Sequence, residues 1–202
     1  MKRSIKSCLT LSLLMGAIYA QTASSATLSE RALQWFREGK YSEAEHDFRE
    51  VTKAEPSNIY AQFYLGQTLF KEEKYADAVG PYEKARMLEK DGKVLSSDQR
   101  RILIDQLAMA YGISGELKKA HELLDEAISQ DPEYPLNYYN LACAFAEEGD
   151  KNKMLANLAL AFQHKDHVLK GERMPNPRLD SSFQNYLRDD DFLKLMKELG
   201  FK

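Results

Sequence analysis

Apolar residues recur at steps of three and four along most of the chain, as in Leu65, Leu69, then Tyr75, Ala78, Tyr82 and Ala85. That spacing predicts pairs of amphipathic helices, each turning one stripe toward a shared core. The pattern also repeats. Gly39-x-Tyr41-x-x-Ala44-x-x-x-Phe48-x-x-Val51 aligns with Lys74-Tyr75-x-x-Ala78-x-x-x-Tyr82-x-x-Ala85 and with Gly115-x-Leu117-x-x-Ala120-x-x-x-Leu124-x-x-Ala127. A weaker fourth copy is Gly149-x-Lys151-x-x-Met154-x-x-x-Leu158-x-x-Ala161. Ala44 and Ala78 are 34 residues apart, Ala78 and Ala120 are 42 apart, and Ala120 and Met154 are again 34 apart. A matching half precedes each copy: Ala32 with Trp35, Leu65-Gly66 with Leu69, Leu107-Ala108 with Tyr111, and Leu141-Ala142 with Phe145.

Small residues at Ala32, Gly66, Ala108 and Ala142 let each first helix approach its partner, and Ala44, Ala78 and Ala120 do the same for the second. A larger side chain at these points should overpack the contact, at a cost of about 1–3 kcal/mol. Glu38-Gly39-Lys40, Ser114-Gly115 and Glu148-Gly149-Asp150 read as the turns within hairpins. Ser42-x-x-Glu45, Ser96-x-x-Gln99 and Ser181-x-x-Gln184 have the spacing of capping boxes at helix starts.

These residues resemble the tetratricopeptide repeat, whose pattern is a large residue, Leu-Gly/Ala and an aromatic, followed by Ala, Phe/Tyr, Ala and Pro, with Pro56 and Pro132 closing two of the copies. The resemblance covers about residues 25–168. It implies an all-α, right-handed solenoid of helical hairpins, with repeats at about 27–58, 59–100, 101–134 and 135–168. The second repeat carries about eight extra residues around 90–97, expected as a longer helix or loop, and Pro81 falls inside its second helix. The fourth departs at Lys151 and Met154, so its second helix is expected to pack differently. Residues 169–202 are expected to be a loop followed by a capping helix, with Phe183, Leu187, Phe192, Leu195 and Leu199 covering the open end of the stack.

The first 26 residues read as an export signal. Lys2, Arg3 and Lys6 precede an apolar run from Cys8 to Ala20, and small polar residues lead to Ala26. The run is shorter than the roughly 20 apolar residues a membrane-spanning helix needs. Cleavage after Ala20 and after Ala26 both fit. The expected location is a bacterial periplasm or cell envelope. Removing residues 1–26 leaves 25 basic and 31 acidic residues, so the charge moves from −3 to −6. A chain that acidic lacks the basic footprint of a nucleic-acid binder. Cys143 is then the sole cysteine, which excludes an intrachain disulfide.

No catalytic constellation stands out. His121-Glu122 lacks a second histidine at zincin spacing. His164, Asp166 and His167 read as a polar helix end rather than a metal site, and His46-Asp47 as an exposed pair. Cys143, among Leu141, Ala142, Ala144 and Phe145, reads as a packing residue. No enzyme, metal or cofactor is expected.

In the family the first helices line a concave groove. Carried over by position, that groove takes Tyr60, Phe63, Gln67 and Phe70 from the second repeat, Ile102, Asp105 and Met109 from the third, and Leu136, Tyr139 and Cys143 from the fourth. Asn140 matches an amide that family members use to hold a ligand's backbone. Ser29 and Leu33 stand where a carboxylate clamp would need Lys and Asn, so recognition of an acidic tail is not implied. Independently of the family, the helix over 59–71 is apolar on two faces, which makes it either buried or a sticky surface. The expected function is therefore an exported, non-catalytic adaptor that binds a protein or peptide partner in its groove. The alternative is a structural protein that associates with itself through its first helix, where Leu28, Leu33, Trp35 and Phe36 need cover.

Overall fold

A computed structural model describes residues 25–92 and 94–201. The expected export signal lies almost wholly outside the described residues. Helix α1 spans residues 25–37. It is followed by α2 (Tyr41–Ala54), α3 (Ile59–Lys71), α4 (Tyr75–Gly92), α5 (Ser97–Ile113), α6 (Leu117–Gln130), α7 (Pro135–Glu148), α8 (Lys151–Gln163) and α9 (Asp190–Glu198). Two short 3-10 turns, Lys165–His167 and Ser181–Tyr186, separate α8 from α9. No strand occurs among the described residues. The fold is all-α, a succession of helical hairpins. It divides into two compact units, one ending at Val94 and one beginning at Leu95.

In the first unit α3 packs on both α2 and α4. Ala32, Ala44, Phe48, Val51, Leu65, Leu69, Ala78, Tyr82 and Ala85, the repeat's own signature positions, are buried. Burial of these stripes is what holds such short helices, each marginal alone. Helix α4 runs through Pro81 without a break and is 18 residues long against 14 for α2. About half of the eight extra residues around 90–97 is therefore additional helix. Glu89 closes the end of α4: its Oε2 accepts from the Val94 N–H at 2.8 Å.

In the second unit α5, α6, α7 and α8 pack as successive neighbours. Ser96 and Gln99 form the expected capping box, each side chain meeting the other's backbone N–H. Met154 is fully buried where the other repeats have Ala, and it shares its core with Tyr139, Leu158, Phe183, Phe192 and Met196. The C-terminal segment thus packs on α7 and α8 through one 3-10 turn and one helix. Asp180 caps the turn and Asp189 caps α9, each accepting from backbone N–H groups just downstream.

Three local expectations are corrected. Ser42 does not cap α2, which begins one residue earlier at Tyr41 with no side-chain cap. Glu45 instead accepts from Arg49 and from Lys74. Ser181 does not cap the final segment either; Asp180, one residue earlier, accepts from the Ser182 N–H instead. Asp47 is buried rather than exposed: its carboxylate accepts two hydrogen bonds from Arg31, at 2.6 and 2.7 Å, tying α1 to α2. His46 beside it is exposed.

Candidate functional site

The first unit holds a cleft of about 370 Å³ lined by Ser29 and Leu33 of α1, Phe48 of α2, and Asn58, Tyr60, Ala61 and Tyr64 at the start of α3. Its walls are fixed by local chemistry. Asn58 is the N-cap of α3: its Oδ1 accepts from Ala61 N–H at 3.0 Å while its Nδ2 donates to Glu55 at 2.9 Å. The Tyr64 ring is stacked on Phe48, with centroids 5.9 Å apart, and meets Phe36 edge-on at 5.6 Å. Tyr60 stands at the rim, 44% exposed, and its hydroxyl donates to the Val94 carbonyl at 3.0 Å. The Ser29 hydroxyl donates to the Ser25 carbonyl at 2.9 Å. The surface left to a ligand is therefore aromatic and aliphatic. It is suited to seating apolar side chains, and no charged residue lines it.

The groove residues expected from the sequence divide into two groups. In the first unit Tyr60 lines the cleft. Phe63 is only 1% exposed and belongs to the core, in edge contact with Tyr64 at 5.2 Å. Its large ring is drawn inward because α3 buries nearly its whole circumference. Gln67 is also buried, and Phe70 is half-buried against Tyr75 at 5.0 Å. Ser29, considered in the sequence only as part of a failed clamp, and Leu33, considered there and as part of the first helix's uncovered apolar surface, both line the cleft. Tyr64 went unnoticed although it occupies the repeat position that singled out Asn140, and applying that position to every repeat finds it.

In the second unit Asn140 donates to Asp105 at 2.7 Å, so its amide is engaged within the protein. Met109 is 39% exposed on the same helix as Asp105. Tyr139 is buried, which corrects its expected place on a free surface. Its hydroxyl donates to Asp180 at 2.9 Å and its ring meets Phe183 edge-on at 5.8 Å. Burial pushes the Asp105 carboxyl up to about 6, helped by the Glu172 charge and opposed by the Asn140 hydrogen bond. Burial likewise pushes up the Tyr134 and Tyr139 hydroxyls and the Cys143 thiol. A thiol so protected is a poor nucleophile. His164 stacks on Tyr138 at 5.7 Å, with His167 beside it. Among the described residues no three His, Cys, Asp or Glu side chains gather as a metal site would need.

Residues 30–91, which contain all of the cleft lining except Ser29, match the tetratricopeptide repeat family. That segment is similar to the tetratricopeptide repeat. The tetratricopeptide fold extends past the matched segment, as solved structures show. MamA superposes with a TM-score of 0.66 at 19% identity, over 87% of this chain and 89% of that one. YrrB, described as a TPR protein with an unusual peptide-binding site, gives 0.63 at 14% identity over 92% and 89%. A putative kinesin light chain with nearly identical TPR-like repeats from Podosopora anserina gives 0.59 at 18% identity over 86% and 92%. At such identities the likeness concerns the fold. Among curated proteins none matches the sequence. No helix among the described residues is long and apolar enough to cross a membrane.

Proposed function

We propose that this protein is an exported, non-catalytic adaptor that binds an extended or helical segment of a partner protein in the cleft between α1 and α3. The observation that carries the reading is the cleft itself, with Leu33, Phe48, Tyr60 and Tyr64 around a space of about 370 Å³. That volume accommodates one or two large apolar side chains of a bound segment, and rigid aromatic walls lower the entropy cost of holding them. Tetratricopeptide repeats are protein-interaction scaffolds, and the description of YrrB names a peptide-binding site in the same fold. A non-catalytic role is consistent with a lining that contains neither an acid–base pair nor an activated nucleophile. Export rests on Lys2, Arg3, Lys6 and the apolar run that follows. Service in envelope assembly or secretion is part of this reading.

A photo-crosslinking side chain at position 60, compared with one at the exposed Met87, tests the binding site in the native host. A discrete partner captured from position 60 alone supports the reading. Equal capture from both positions, or the protein's own mass as the sole product, turns attention to self-association. Fractionation of a tagged full-length chain tests export.

A further inference from the structure

The chain between α8 and α9 is pinned to two points of α7. Glu172 Oε2 accepts from the Tyr134 hydroxyl at 3.2 Å and from the Leu169 N–H at 3.0 Å. Asp180 accepts from the Tyr139 hydroxyl at 2.9 Å and from the Ser182 N–H at 3.0 Å. Tyr134 immediately precedes α7, and Tyr139 lies five residues on, about 7.5 Å further along the helix axis. The chain from Glu172 to Asp180 would reach about 27 Å if extended. Anchored this closely, it folds out from α7 as a compact loop, with Leu169, Pro177 and Phe183 buried beneath it.

Two turns shape the loop. The Leu169 carbonyl accepts from the Glu172 N–H at 2.9 Å, with Gly171 between them at φ 91°. Asn176 closes the second turn: its carbonyl accepts from the Leu179 N–H at 3.0 Å and its Oδ1 from the Arg178 N–H at 3.0 Å. Leu179 is thereby held out on a hydrogen-bonded turn. It is 80% exposed, more than any other large apolar side chain among the described residues.

The charges of the loop are sorted by sign. Both of its carboxylates, Glu172 and Asp180, are spent on α7 tyrosines and on backbone N–H groups. Its cations point the other way in character: Lys170 and Arg173 are exposed and Arg178 partly so. Among the described residues none of the three takes part in an ion pair. On either flank, Lys165 with Asp166 and Arg188 with Asp190 are exposed residues of opposite sign, so the net character of the surface is set by the loop. Without residues 1–26 the chain carries −6, yet this stretch presents three unpaired cations around a bare leucine. One aliphatic side chain at a turn lacks the packed, water-excluding surround of a protein hot spot. It does match the interface of an anionic bilayer, where an apolar side chain enters the acyl boundary while Lys and Arg heads stay among the phosphates.

We propose that residues 170–179 form a membrane-surface docking loop, which seats Leu179 below the headgroups of an anionic phospholipid bilayer and holds Lys170, Arg173 and Arg178 at the phosphates. The contact belongs to the second unit, is independent of the cleft, and needs no spanning helix. Each cation near such a surface is worth about fivefold in partitioning, so the three together supply about a hundredfold.

A tryptophan placed by Leu179→Trp, at a position too exposed to disturb the fold, reads the contact in the full chain. The probe is a vesicle of phosphatidylcholine and phosphatidylglycerol with brominated acyl chains, which quench a ring that enters them. Residues 1–26 would bind such vesicles by themselves, so the readout is local to position 179, with the wild-type signal of Trp35 subtracted. Quenching at 179 should appear with these vesicles and be absent with phosphatidylcholine alone. It should fade as salt rises from about 0.1 M to about 1 M, which shortens the screening length from about 10 Å to about 3 Å. Adding Lys170→Gln, Arg173→Gln and Arg178→Gln together should raise the lipid concentration needed by about a hundredfold, with circular dichroism unchanged. No quenching, equal quenching on phosphatidylcholine, or quenching indifferent to the three substitutions overturns the proposal. A blue shift with polyglutamate but no quenching by vesicles would assign the loop to an acidic protein instead. A shift that follows protein concentration without vesicles would assign it to a second copy of the chain, and either result overturns the bilayer as its partner.

Discussion

The ring of Tyr82 occupies the space that any side chain on Gly66 would need. A methyl carbon built on Gly66 would stand 2.5 Å from Tyr82 Cδ1 and 2.6 Å from Cε1, and Tyr82 is fully buried between α3 and α4. In an unstrained helix, Gly→Ala is worth up to about 1 kcal/mol in favour of folding. At position 66 overpacking, about 1–3 kcal/mol, wins instead. Gly66→Ala should therefore lower the urea midpoint of the first unit. Gly112→Ala, with nothing within 4 Å of the new carbon, should raise that of the second. Trp35, the single tryptophan, reports the first transition by fluorescence, and tyrosine circular dichroism reports the second.

A second backbone position offers the opposite sign. The hairpin turns at Gly39, Gly115 and Gly149 take φ of 74°, 78° and 78°, and the corresponding turn of the second repeat places Glu73 at φ 60°. A side chain in the left-handed region costs roughly 1–2 kcal/mol. Glycine gives part of that back through the freer unfolded chain. Glu73→Gly should stabilise the first unit by about 0.5–1 kcal/mol, read as a rise in the same Trp35-monitored midpoint. An unchanged or lower midpoint would show that the Glu73 side chain contributes more than its exposed position suggests.

The same residues explain how far the sequence could be read. Ala32, Gly66, Ala108 and Ala142 were legible because a close helix–helix approach admits only small residues, and local spacing records it. The Ser96 capping box was legible for the same reason, being formed within four residues. Glu73 was not, since its strain is imposed by a turn whose geometry its neighbours fix. Asp47 looked like a surface residue because its partner, Arg31, lies 16 positions earlier. Phe63 and Tyr139 held groove positions by register, yet their exposure depends on what covers each helix. For Tyr139 that cover is Phe183, more than 40 residues further along, which no local pattern announces.

Arg31 and Asp47 make an asymmetric pair. The side chain of Arg31 is 53% exposed whereas that of Asp47 is 3% exposed. Removing the arginine leaves a buried carboxylate without its two donors, while removing the aspartate returns an arginine to water. Arg31→Ala should therefore lower the melting temperature more than Arg49→Ala, which breaks the surface contact to Glu45. The paired substitution Arg31→Met, Asp47→Leu should recover most of that loss. A double variant as unstable as Arg31→Ala alone would show that the pair gives α1 its position rather than merely satisfying Asp47.

Phe63 and Tyr60 separate stability from recognition. Both were natural candidates for a binding hot spot, but Phe63 is 1% exposed and Tyr60 is 44% exposed at the rim of the cleft. Truncating a buried phenylalanine costs about 3–5 kcal/mol through lost burial and the cavity left behind. Phe63→Ala should thus weaken folding directly, and any loss of binding it caused would say nothing about contact with a partner. Tyr60→Ala removes a half-exposed ring and its hydrogen bond to the Val94 carbonyl, so it should change the Trp35-monitored midpoint little. It should weaken an apolar ligand of the cleft by about 1–3 kcal/mol if the ring is a contact hot spot, measured by titration calorimetry with the partner segment that crosslinks at position 60. Leu33→Asp, on the opposite wall, should abolish the same binding by placing a charge in a lining that has none. Affinity that survives both substitutions in folded protein would move the recognition surface away from this cleft.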